Sequence, residues 1–335
     1  MENQNNIEKI YRKSIKTVKL LLASSCIIIV IGSSFFIFQY FNNKFCKEKY
    51  EFINANLVCQ EKPILKKTGY AKIQSDLEYF ITIEKQADHV TDVAIYFRDL
   101  KNGPVFGINE TDEFAPASLL KLPIALVYFT KAEKDPDILN KNLVFNEGIE
   151  DFNQTFKSGD KLVVGSEYKT EDLIMRMLKY SDNDSYAVLI DNLLNNNNNK
   201  DLMKETFLGL GFIAPEDAYD QVISVRRYGS IFRALYNSSI LNSEDSEKIL
   251  SWLSNSEFTQ GIVSGLPKEV KVSHKFGERF TSDGKKQLHD CGIIYFPENP
   301  YLLCIMTKGN NYDFMSAVIR EISKEVYIEV DSRRI

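Results

Sequence analysis

Tryptophan occurs once in these 335 residues, histidine three times and cysteine five times. No Cys-x-x-Cys pair is present, and His89, His274 and His289 stand far apart, so the chain has no zinc-type ligand spacing. No glycine-rich loop of the phosphate-cradling kind is found, which sets aside the nucleotide-binding folds that depend on one. Positive charge is not in excess: 41 lysines and arginines face 46 aspartates and glutamates, a net charge of -5. No basic segment interleaves with aromatics, so a nucleic-acid partner is not expected. These absences set dinucleotide, RNA and zinc readings low.

Long apolar runs are also scarce, which makes the one exception informative. Residues 20–39 read LLLASSCIIIVIGSSFFIFQ, with no charge among them. About 20 apolar residues at about 1.5 Å each match a hydrocarbon core of about 30 Å, so Leu20 to Gln39 predicts a membrane-spanning helix over residues 20–40. Lys9, Arg12, Lys13, Lys16 and Lys19 precede it, against Glu2 and Glu8. That excess predicts residues 1–19 in the cytoplasm and everything after residue 40 outside it, in a single-pass cell-membrane protein whose run contacts the lipid bilayer. A cleaved signal peptide is disfavoured, because the run ends in bulky aromatics where a small-residue cleavage site would stand. An oxidising exterior permits disulfides. Cys46 and Cys59 could close a loop in a polar stalk over residues 41–70. Cys291 and Cys304 flank a PENP turn, and could either face each other across a hairpin or be two small buried strand residues.

The remainder, residues 71–330, reads as an α+β domain. Apolar spacing predicts a helix around Ile73 to Lys85, and alternation predicts two strands joined at Lys101-Asn102-Gly103. Residues 136–260 are mostly helical by period, with a low-complexity loop at Asn195 to Asn199. Strands return in VKVSHKFGE, LHDCGIIYF and YLLCIMT, before an amphipathic helix from Asp313 to Tyr327. Strands at both ends imply one antiparallel sheet flanked by the first and last helices, with an inserted all-helical lobe and a cleft between. Trp252 sits at helical spacing and is expected in a core. A monomer is expected.

Three short patterns carry the chemistry. Ser-x-x-Lys occurs at Ser118, Ser158, Ser166 and Ser282, so spacing alone does not discriminate. Ser118 differs in context: it starts an apolar helix, where free N–H groups and the dipole favour an anion, and one turn puts Lys121 on its face. A lysine held in a dry site loses proton affinity and can act as a base toward the serine hydroxyl. Ser181-Asp182-Asn183 opens a later helix, and Lys275-Phe276-Gly277 lies on a strand. A Ser-His-Asp arrangement is disfavoured. His274, next to Lys275, points to the opposite strand face, and His89 and His289 are placed at strand ends facing solvent.

In this order, on helix, helix start and strand, the three patterns resemble the penicillin-recognising serine hydrolases, most closely class A β-lactamases. The resemblance spans about residues 70 to 328, and the Ser-Asp-Asn form argues against class D. Together with the apolar run at residues 20–39, it implies a membrane-anchored serine hydrolase attacking a β-lactam or a related peptidoglycan amide, and the family's chemistry needs no metal and no cofactor. Ser118 would be the acylated nucleophile, Lys121 its proton partner and Ser181 the proton shuttle to the leaving nitrogen. Asn183 would bind the substrate's amide, Lys275 its carboxylate, and the backbone N–H groups of Ser118 and Glu278, the residue after Gly277, would form the oxyanion hole. Two departures stand out. Phe276 replaces a hydroxyl residue, and FIAPEDAYDQVISV lacks the family's Glu-x-x-Leu-Asn, leaving Glu216, with Asp217 and Asp220 behind it, as the candidate deacylating base. Without that base the alternatives are a penicillin-binding D,D-peptidase or a sensor domain that stays acylated.

Overall fold

The computed structural model describes residues 25, 29–37, 50–57, 69–101, 103, 105–147, 155–156, 159–195, 197–212, 221–281 and 284–333. The chain divides into two units, residues 1–51 with 55–60 and residues 52–54 with 61–335. In the first unit residues 29–37 are helical, with Ile29, Val30, Ile31, Phe35, Phe36 and Ile37 exposed. Among the described residues no helix is long and apolar enough to cross a membrane. Apart from Ser25, the rest of the apolar run 20–40 lies outside the described residues, as do the segment 1–19 expected in the cytoplasm, Cys46 and Cys59.

The second unit is built on a sheet of five antiparallel strands in the order β2-β1-β7-β6-β5. In chain order these are β1 (Asp92–Asp99), β2 (Val105–Ile108), β5 (Val272–Phe280), β6 (Lys286–Ile294) and β7 (Tyr301–Gly309). The expected hairpin after β1 forms, with Gly103 supplying a φ of 84° in its turn. As the terminal helical patterns imply, α1 (Ala71–Gln86) and α8 (Tyr312–Ser332) cover one face of this sheet. Ile73, Leu77 and Ile81 of α1 and Met315, Ile319, Ile322 and Val326 of α8 pack there against Val93, Ile95 and Phe97, and against Phe276, Leu288, Leu303 and Ile305. Side chains alternate along a strand, so Phe276 and His274 belong to this face and Lys275 to the other.

Between the terminal strands run α2 (Lys121–Ala132), α3 (Thr170–Lys179), α4 (Asn183–Leu194), α5 (Asn197–Leu210), α6 (Val225–Tyr236) and α7 (Ser243–Ser254). The middle of the chain is thus helical as expected, with one correction: β3 (Asn142–Val144) pairs with β4 (Glu167–Lys169) in a small ribbon, too short to show a period in sequence. The asparagine tract is also not wholly a loop, because α5 begins at Asn197 and Asn199 is buried against the Lys131 ammonium. Trp252 is half-buried against Phe129, with ring centroids 5.8 Å apart. Cys291 and Cys304 stand opposite each other in the β6–β7 register and are joined by a disulfide, which decides between the two readings of that pair.

Candidate active site

A 3-10 turn, Ala117–Leu120, runs directly into α2. Ser118 is half-buried on that turn and follows Ala117, whose φ of 51° lies in the left-handed region. Such a conformation in a residue with a Cβ costs on the order of 1 kcal/mol and persists only where its surroundings impose it. Gly277 supplies part of that constraint. A Cβ there would stand 3.0 Å from Pro116 O and 3.3 Å from Leu119 N, tighter than most Cβ contacts, so glycine lets β5 lie this close to the backbone around Ser118 without a shift of a few tenths of an ångström.

The first turn of α2 buries Lys121, 2% exposed, because Leu122, Ile124, Ala125 and Leu126 are all core residues. Its ammonium donates to Asn183 Oδ1 at 2.6 Å, to Ser181 Oγ at 3.2 Å and to Ser181 O. Among the described residues no hydrogen bond joins Lys121 to Ser118. Lys275, 1% exposed, approaches from β5 and donates to the same Ser181 Oγ at 2.8 Å and to Phe276 O at 2.9 Å. Ser181 is fully buried and has a φ of 55°, a second strained residue in the same cluster.

Burial lowers the proton affinity of both lysines. It pushes Lys121 down to about 7, partly offset by Asp182 and Glu278. Burial, with the nearby Lys121 charge added to it, holds Lys275 well below the ordinary lysine range. Two ammonium groups facing one hydroxyl in a dry site repel each other, so the cluster favours a state with an unprotonated amine. An amine that sheds its proton near neutral pH can accept one from a serine hydroxyl.

The flanking residues are fixed by ordinary local rules. Asp182 caps α4, accepting from Asp184 N at 3.1 Å and Ser185 Oγ at 2.6 Å, which sets the direction of Asn183. The Glu278 carboxylate accepts from Thr155 N at 2.9 Å and Phe156 N at 3.0 Å, a tie that short-range sequence patterns cannot reveal because its partners lie more than 120 residues away.

Sequence reasoning thus named Ser118, Lys121, Ser181, Asn183, Lys275, Gly277 and Glu278, and the fold brings these residues to one region around the Ser181 hydroxyl and the start of α2. Other assignments are corrected. His289 is not at a solvent-facing strand end: it lies within β6, fully buried, with Nε2 3.0 Å from Ala115 O, and burial pushes it down to about 4. It joins β6 to the segment just before Ser118. His274 faces away from Lys275 as expected and meets Asp290 at 2.7 Å, while Asp290 also accepts from Ile262 N at 2.9 Å. No periodicity marks Asp290 as a partner; only the β5–β6 register does. His89 is half-exposed and bonds Glu84 at 2.7 Å. Of the other Ser-x-x-Lys matches, Ser166 precedes β4 and its Lys169 is exposed, away from any such cluster, while Ser158 and Ser282 lie outside the described residues, as do Glu216, Asp217 and Asp220. Among the described residues no group of side chains is arranged to hold a metal ion.

Comparison with solved structures agrees with this fold. A structure of PBP-A as an acyl-enzyme with penicillin G matches with a TM-score of 0.64 and 17% identity, covering 80% of this chain and 100% of that one. A β-lactamase from Chitinophaga pinensis matches with a TM-score of 0.65 and 18% identity, covering 76% and 99% of the two chains. A class A β-lactamase from Mycobacterium abscessus matches with a TM-score of 0.64 and 16% identity, covering 77% and 99%. No curated protein matches the chain. The model of the beta-lactamase enzyme family matches residues 73–330, which takes in both lysines, both serines and the whole five-stranded sheet. The chain therefore belongs to the beta-lactamase enzyme family.

Proposed function

We propose that this protein is a membrane-anchored, extracytoplasmic serine hydrolase that attacks a β-lactam or a related cell-wall amide through an acyl-enzyme at Ser118. The observation that supports it most is the Ser181 hydroxyl held between two buried lysines, one of them a single turn beyond Ser118. In this reading the Lys121 amine takes the Ser118 Oγ proton as the oxygen bonds to the carbonyl carbon. The N–H groups of Ser118 and Glu278 stabilise the oxyanion. Collapse of the tetrahedral intermediate breaks the C–N bond, and Ser181 gives its proton to the departing nitrogen, recovering one from a neighbouring lysine. Asn183 accepts from Lys121 and presents its amide beside the substrate. Substrate binding displaces Lys121 from Ser181 O toward Ser118, since catalytic hydrogen bonds commonly tighten only in the complex.

The test is a time course of intact-protein mass, with the full-length protein in mild detergent mixed with a penicillin and with a chromogenic cephalosporin. An adduct on Ser118 that forms and clears while product accumulates supports hydrolysis. An adduct that persists supports the penicillin-binding or sensor alternative, which the lack of Glu-x-x-Leu-Asn in residues 212–225 favours. No adduct with either compound defeats the acyl-enzyme reading.

Two further outcomes are expected. The acylation rate rises with pH through about 7 and levels above it, because Lys121 must be unprotonated to serve as base; a rate that falls over that interval contradicts the role. Gly277→Ala pushes β5 away from Pro116 and Leu119 by a few tenths of an ångström and lowers the acylation rate about tenfold or more, since misplacement of this order disrupts attack geometry. Stopped-flow absorbance with the cephalosporin reads both.

A further inference from the structure

Residues 113–116, just before the turn that carries Ser118, are held one peptide group at a time. Lys308 Nζ donates to Glu113 O at 3.1 Å, and Phe114 exchanges both backbone hydrogen bonds with Ile223. At Ala115 the partners are two side chains of β6. Ala115 N donates to Gln287 Oε1 at 3.1 Å, and His289 Nε2 lies 3.0 Å from Ala115 O. Pro116 O accepts from Leu119 N at 3.0 Å, inside the turn. Proline brings no N–H of its own, so the chain enters the turn held from β6 through Ala115.

Gln287 and His289 stand two apart on β6, so both side chains leave the sheet on one face, and the register pairs His289 with Gly277. That is the glycine whose missing Cβ leaves room for Pro116 O and Leu119 N. Adjacent positions of β5 and β6 therefore support the same turn, one by close approach and the other by a hydrogen bond. His289 is fully buried, with the Phe114 ring edge-on at 5.6 Å. Burial pushes it down to about 4, so at neutral pH the ring carries one proton. A carbonyl only accepts, which puts that proton on Nε2. Among the described residues neither side chain hydrogen-bonds to Ser118, Lys121, Ser181 or Lys275, and the steps above give His289 no part.

We propose that His289 is the positioning residue of the nucleophile turn: its hydrogen bond to Ala115 O keeps Ala117 left-handed, and so aims Ser118 Oγ and the Ser118 N–H at the substrate carbonyl. This rests on acylation at Ser118. A turn released from β6 still binds the acyl donor through Asn183 and Lys275 but presents the hydroxyl poorly, and such misplacement is felt in the chemical step. The defect is also independent of the donor, since it lies in the nucleophile.

Two measurements on the full-length protein in mild detergent test this. The chain has three histidines, so the imidazole 15N spectrum of histidine-labelled protein is readily assigned with His289→Gln as the blank. At pH 7 the His289 ring is expected in its Nε2–H form; an Nδ1–H ring overturns the bond to Ala115 O. The second measurement is the rate of Ser118 labelling by benzylpenicillin and by a fluorophosphonate over a range of concentrations. His289→Leu, which has no donor, is expected to lower the maximal rate about tenfold or more with both reagents. The half-saturating penicillin concentration should stay within about twofold of the parent, the mark of a lost orientation and not of lost binding. His289→Gln keeps an N–H and recovers the rate to within about threefold of the parent. Gln287→Met removes the acceptor from Ala115 N, lowers the rate about threefold, and gives the readout if His289→Leu fails to fold. Unchanged maximal rates in His289→Leu and Gln287→Met, or a loss confined to the half-saturating concentration, overturn the role. Equal slowing in His289→Leu and His289→Gln overturns it too, because a loosened core would not depend on the N–H. If the parent reacts with the fluorophosphonate alone, the β-lactam reading falls and that reagent's rates decide the role of His289; if it reacts with neither, both fall.

Discussion

Ser118→Ala is expected to form no covalent adduct with a penicillin at any time or concentration that labels the parent protein. The substitution removes one oxygen from a half-buried turn position and leaves Lys121, Ser181 and Lys275 bonded to one another, so the fold should persist. Surface and half-buried changes of this kind shift stability by about 0.5 kcal/mol. Loss of labelling with an unchanged unfolding temperature would therefore report the nucleophile and not the scaffold. The outcome that would reassign the chemistry is an adduct that survives in the variant, which peptide mapping would locate. Ser181 is the alternative position to inspect, since its Oγ lies within reach of both lysines.

The second large effect is expected from Lys121→Met. Removing the base should lower the acylation rate by about a thousandfold, within the range general-base contributions span. The same variant should be more stable than the parent. Lys121 is fully buried, and with its native affinity near 7 against 10.5 in the unfolded chain, the unfolded state binds more protons between those values. Stability of the parent therefore rises with pH from about 7 to about 10.5, and the destabilisation due to this lysine is complete below about 7. Methionine has similar length and no charge to desolvate, so the gain in unfolding temperature should be greatest at or below pH 7 and shrink above it. Thermal unfolding by circular dichroism at pH 6 and pH 9 checks the sign. A variant less stable than the parent at pH 6 would show that the bonds to Ser181 and Asn183 outweigh the burial of the charge. Activity and stability oppose each other at this residue, because what makes Lys121 a base near neutral pH is the same desolvation that makes it costly to bury.

The elements legible in the sequence are those whose signal is local. The run from Leu122 to Phe129 is buried as its apolar character implies, and α8 shows its amphipathic period clearly. The antiparallel sheet follows from strands at both ends of the domain. The β3–β4 ribbon is not legible in the sequence, because three residues per strand are too few for alternation to register. A polar residue near the start of a strand pattern, as His289 is, resembles an edge position in sequence. What buries it is the segment before Ser118, which lies 174 residues away in sequence and lends Ala115 O as partner. The resemblance points only to the N–H of Glu278; the hold of its side chain on Thr155 and Phe156 has no counterpart in local pattern.

The sequence by itself determined which residue types could do this chemistry and which elements present them: a serine one turn before a lysine on a buried helix, a capped helix start, and a strand ending in lysine and glycine. Those are properties of spacing and of near-neighbour hydrogen bonds, which act over a few residues. Only the tertiary structure decided that both lysines would meet one hydroxyl, that Gly277 would press against the turn of Ser118, and that Phe276 would stack on Phe258 with Phe156 edge-on to both. Each of those depends on sheet register and on the packing of segments far apart in the chain, and it is that packing which excludes water and shifts the lysines toward their neutral form.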